Sequence, residues 1–64
     1  MSELQALEYF ESVYKDLIFS NNASELRSTV NLINTYLRTN EVRNRAEFVK
    51  IINKLMNLAD EVDN

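Results

Sequence analysis

Apolar residues recur at three- and four-residue spacings in three stretches of the chain, and two polar interruptions divide them. That spacing places each stretch on one face of a helix. The pattern predicts helices over about 3–19, 23–38 and 45–61. In the first, Leu4, Leu7, Phe10, Val13, Tyr14, Leu17 and Ile18 fall on one side of a helical wheel. Glu8, Glu11, Ser12, Lys15 and Asp16 fall on the other. Adding Ala6 and Tyr9 widens the apolar arc beyond roughly half the circumference, more than one packing partner covers. Ser2 and Gln5 have the spacing of a capping box, in which hydroxyl and amide satisfy orphan donors of the first turn.

Ser20-Asn21-Asn22 interrupts the pattern, because serine and asparagine side chains compete with the helical backbone for hydrogen bonds. Asn22 and Glu25 form a second cap-like pair. The next stretch carries Leu26, Val30, Ile33 and Leu37 as a 4-3-4 stripe flanked by Thr29 and Tyr36, with Arg27, Asn31, Asn34, Thr35 and Arg38 opposite. Thr39-Asn40 or Asn44 marks the following boundary, and Asn44 with Glu47 again has the spacing of a cap. No glycine or proline enforces a stop there, so the pattern leaves open two helices or one long bent one. In the last stretch Phe48, Ile52, Leu55, Ala59 and Val62 make a seam that Ile51, Leu58, Val49 and Met56 widen. Arg43, Glu47, Lys50, Lys54 and Asn57 line its far face. Asp60, Glu61 and Asp63 put negative charge at a helix C-terminus, where the macrodipole opposes it, and predict fraying of the last few residues.

Composition sharpens this to a single small all-α domain over 1–64. Glycine and proline are both absent, and tight hairpins lean on glycine for positive φ. With 64 residues the chain buries a modest core, and such domains usually need a staple or a second copy. Cysteine and histidine are absent, which removes disulfides, thiolate sites and the commonest zinc and copper ligand. The wide arcs therefore predict a helical bundle of two or three short amphipathic helices, completed by homodimerisation. Tyr9 at the edge of its arc, Phe10 within it, and Val49 and Met56, which widen the third seam, are the candidate interface residues.

The same composition argues against catalysis. Ser2, Ser12, Ser20, Ser24 and Ser28 sit at caps or on polar faces with no base nearby in sequence. Glu8 and Glu11 share a helix face but lack the Glu-x-x-His partner of helical di-metal sites. No catalytic residue, metal or cofactor is assigned. The net charge of −3 weighs against nucleic acid and anionic membranes, and no apolar run reaches the ~20 residues that span a bilayer. The N-terminus has no basic and apolar leader pattern, so a cytoplasmic protein is expected. Charge is unevenly spread: the first helix is acidic, while Arg38, Arg43, Arg45, Lys50 and Lys54 make a candidate basic patch interrupted by Glu41 and Glu47.

The stretch Val13-Tyr14-Lys15-Asp16-Leu17-Ile18, followed by polar residues and more helix, resembles the start of pediocin-type bacteriocin immunity proteins. Those are cytoplasmic helical bundles with longer chains. The resemblance spans about six residues and implies a helical bundle, with no function attached to it.

The expectation is a non-catalytic protein–protein interaction module, of the kind a phage, plasmid or bacterial regulator uses to bind a host protein. The alternative is a small nucleic-acid-binding or repressor accessory protein that uses the basic 38–54 segment.

Overall fold

All three apolar stretches are helical, and each end has an identifiable cause. The computed structural model describes residues 2–63. In it α1 spans Glu3–Leu17, α2 Ala23–Thr39 and α3 Arg45–Asp63, with no strand among the described residues. The Ser2 hydroxyl accepts from the Gln5 N–H at 3.1 Å, and the Gln5 side chain accepts from the Ser2 N–H at 3.0 Å. This is the capping box that the sequence pattern expects. α1 ends two residues before the apolar pattern does: the Ile18 N–H still reaches the Tyr14 carbonyl, and the Ser20 N–H then turns to Leu17. Phe19 is left 86% exposed. Asn22 opens α2 by accepting from the Glu25 N–H at 3.1 Å.

The boundary between α2 and α3 is real, and the two helices do not fuse. With no glycine to take a positive φ, Asn40 leaves the helix in an extended conformation (φ −131°) and its side-chain amide donates to the Tyr36 carbonyl at 3.0 Å. The Arg45 guanidinium donates to the Leu37 carbonyl at 3.2 Å. The Tyr36 carbonyl also accepts the Asn40 backbone N–H, and the orphan Leu37 carbonyl of the last turn finds its donor in a side chain. At the start of α3 the expected Asn44–Glu47 side-chain cap does not form; only the Asn44 backbone carbonyl accepts from Glu47. The nearby N–H groups of Arg43 and Asn44 instead donate to the two oxygens of Glu3, at 2.7 and 3.0 Å. A residue in the first turn of α1 therefore caps a loop some forty positions away.

α3 also runs two residues past the expected end at 61. Arg27 on α2 pairs with Asp63 and, at 3.5 Å, with Asp60, which supplies positive charge where the helix C-terminus lacks it. The carboxylates hold the Arg27 guanidinium above its ordinary pKa, chiefly through its hydrogen bond to Asp63.

These pairings set the topology. Arg27 beside Asp60 and Asp63, with Arg45 on Leu37, makes α2 and α3 antiparallel. Glu3 on the residue 43–44 loop, with Lys54 over the Tyr14 ring, makes α1 parallel to α3. The result is an up-down-up three-helix bundle, 35 × 18 × 16 Å. α2 and α3 share the most extensive contact, α1 leans mainly on α3, and α1 and α2 touch least.

The core closes within one chain. It consists of Ala6, Phe10 and Leu17 from α1, Leu26, Val30, Ile33 and Leu37 from α2, and Phe48, Ile51, Ile52, Leu55 and Ala59 from α3. Phe48 stacks on Tyr36 with centroids 5.5 Å apart and meets Phe10 edge-on at 6.2 Å. Thr29 is buried, and its hydroxyl donates to the Glu25 carbonyl. No buried side-chain polar atom lacks a partner among the described residues.

Glu3→Ala is expected to lower stability by about 1 kcal/mol, since it strands two backbone donors at a loop that water can reach. A urea titration read by helical circular dichroism measures this. An unchanged midpoint would mean that water replaces the carboxylate at no cost.

Candidate protein-interaction site

Three helices packed around one core leave three grooves between them, and side-chain placement distinguishes those grooves. On α1 and α3, Glu11, Tyr14 and Lys15 meet Glu47, Lys50, Ile51 and Lys54 in a cleft of mixed charge. Lys54 lies 5.5 Å from the Tyr14 ring centroid, and Lys50 pairs with Glu47 at 3.2 Å. On α2 and α3, Arg27, Val30 and Asn31 meet Met56 and Asp60 in a second cleft. With 100° of rotation per residue, the flanks of α1 and α2 that remain must face each other.

Those flanks carry Tyr9 and Val13 on α1, and Thr29, Leu32 and Tyr36 on α2. The floor between them is aromatic: Phe10 meets Tyr36 edge-on at 5.9 Å, and Tyr9 meets Phe10 edge-on at 5.4 Å. Its rim is exposed. Tyr9 is 55% and Leu32 60% accessible. Val13 and Tyr36 are half-buried beneath them. Asp16 and Glu25, both exposed, stand on the same two flanks toward the α1–α2 turn.

The residues that the sequence pattern singles out therefore separate. Tyr9 lies on the α1/α2 groove. Phe10 is not at a surface: it is 7% exposed and belongs to the core, because the core direction of α1 runs through it while Tyr9 points about 100° away. Val49 and Met56, 41% and 49% exposed, lie two turns apart on the flank of α3 toward the α2/α3 cleft, on the far side of the bundle from Tyr9. Leu32 escaped the pattern, although it carried a signal: it is the one large aliphatic residue of the second helix that lies off the 4-3-4 stripe.

The basic residues also separate. Arg38, Arg43 and Arg45 cluster around the α2–α3 turn, where Arg45 is engaged with the Leu37 carbonyl. Lys50 and Lys54 lie on the opposite flank of α3, each beside a partner on the chain itself. Glu8 and Glu11 are exposed, Ser2 caps α1, and the Ser20 hydroxyl accepts from the Asn22 N–H. Among the described residues no three acidic side chains gather as a metal site would require, and no helix is long and apolar enough to cross a membrane.

Among the described residues the chain is an all-α three-helix bundle, with Tyr9 and Leu32 exposed on the flanks of α1 and α2. Comparison with known protein families, with curated proteins and with solved structures finds no match.

Proposed function

We propose that this chain is a non-catalytic protein–protein interaction module whose docking face is the groove between α1 and α2. The observation that carries this reading is the exposure of Tyr9 and Leu32 over the helix pair with the least mutual contact. A large aliphatic and an amphipathic aromatic side chain above an aromatic floor are the anchors that a helix-in-groove partner uses. Asp16 and Glu25 at one end of the groove favour a partner helix that is apolar on one face and basic beside it. A chain of this size and charge suits a regulator that acts by occupying part of a larger protein, as phage, plasmid or bacterial regulators do. A cytoplasmic setting belongs to the same reading.

Nucleic-acid binding is the weaker reading, because the five basic side chains divide between two flanks and none lies on the groove. Phosphate contacts that hold a duplex normally form a continuous basic stripe.

The test is affinity capture from cell extract with the wild-type chain and with Leu32→Asp. Leu32 is exposed, so the variant is expected to keep the wild-type circular dichroism and melting temperature. It is expected to weaken capture of a specific protein by roughly thirtyfold, the effect of losing an interface anchor. Identical captured proteins with both chains would sink the proposal.

A further inference from the structure

On the side of the bundle away from α1, the outer face of α2 and α3 bears a charge pattern that is complementary to itself. Val49 and Met56 sit at its middle, two helical turns apart along α3 and both substantially exposed. Val30 and Ile52 are buried beneath them, and the amides of Asn31 and Asn34 stand beside them on α2. One end, at the α2–α3 turn, is basic through Arg38 and Arg45. The other end carries Asp60 and Asp63 against the single Arg27 and is acidic on balance.

We infer that this face is where two copies of the chain associate, related by a two-fold axis perpendicular to α2 and α3. That axis passes between Val49 and Met56, so Val49 of each copy lies against Met56 of the other. It also sets the Arg38 and Arg45 end of each copy over the Asp60 and Asp63 end of its partner. The parallel arrangement would stack like charges at both ends, which disfavours it. A two-fold contact is isologous, so one self-complementary face suffices and the assembly stops at two. The face is bounded by the 35 and 18 Å extents of the bundle, at most on the order of 600 Å² per copy. That lies toward the lower end for specific interfaces, so the dimer forms with rising concentration and does not depend on obligate assembly.

This inference extends the interaction reading, but it uses a different face from the groove of Tyr9 and Leu32. The two therefore fail separately. Sedimentation equilibrium over a concentration series reads the mass directly. The wild-type chain is expected to approach twice its 7.5 kDa, and less readily as salt rises. Met56→Glu is expected to stay monomeric with its helicity intact, whereas Leu32→Asp dimerises like wild type. Arg38→Glu cancels the charge of the basic end, and Asp60→Lys turns the acidic end basic. Each alone is expected to weaken association at least tenfold, and an equimolar mixture of the two restores it. A wild-type chain that is monomeric throughout would overturn the inference. So would a dimer that survives Met56→Glu, one that Leu32→Asp abolishes, or charge variants that the mixture fails to rescue.

Discussion

Leu55→Asp is expected to leave a chain with no cooperative thermal transition. Leu55 is wholly buried on the seam of α3, and with Phe48, Leu26 and Ile33 it is among the largest side chains fully removed from solvent. No cation reaches this layer, because every Lys and Arg is exposed. A carboxylate there must either stay charged without a partner or bind a proton far above its usual range, and the cavity left by leucine adds to the penalty. Such substitutions cost upwards of about 4 kcal/mol, while a domain of this size has about 3–10 kcal/mol to lose. Circular dichroism through a thermal scan decides the matter. Leu55→Met serves as the control and is expected to cost less than about 1.5 kcal/mol. A sharp melt near the wild-type temperature in the aspartate variant would show that the seam is not the core.

Phe48→Ala is the second large expected effect, at about 3–5 kcal/mol. Phe48 is fully buried where the three helices meet, stacked on Tyr36 of α2 and edge-on to Phe10 of α1. Its removal opens a cavity and breaks two aromatic pairings at once, each contributing roughly 0.5–1.5 kcal/mol beyond area burial. The urea midpoint should fall steeply while the slope of the transition is retained, since the surface exposed on unfolding barely changes. A loss below about 1.5 kcal/mol would mean that the helices close over the gap and that the aromatic cluster is dispensable.

The features legible in the sequence are the ones with short reach. Periodicity places the three helices, and the Ser2–Gln5 and Asn22–Glu25 spacings place two of their starts, because each involves residues three or four apart. The Glu47–Lys50 pair is of the same kind. The contacts that fix the arrangement are remote: Glu3 on the 43–44 loop, Arg27 on Asp60 and Asp63, and Arg45 on Leu37. A helical wheel gives the angle between Tyr9 and Phe10 but not which of them faces the other helices. That depends on where α2 and α3 sit, and so the wheel offers Phe10 beside Tyr9 as a candidate interface residue. For the same reason the wheel read five basic side chains as one patch, and the bundle divides them.

The forty-residue reach of Glu3 has a consequence for how the chain folds. No glycine separates α2 from α3, and the local contacts at the corner are the Asn40 amide on Tyr36 and the Arg45 guanidinium on Leu37. The loop itself is held by one residue brought from elsewhere, Glu3 of α1. In this way α1 acts as a clasp on the corner. α2 and α3 hold the bend between themselves through Arg27 on Asp60 and Asp63, and α1 fastens the loop at its tip. Opening the clasp would be a route by which two chains exchange helices.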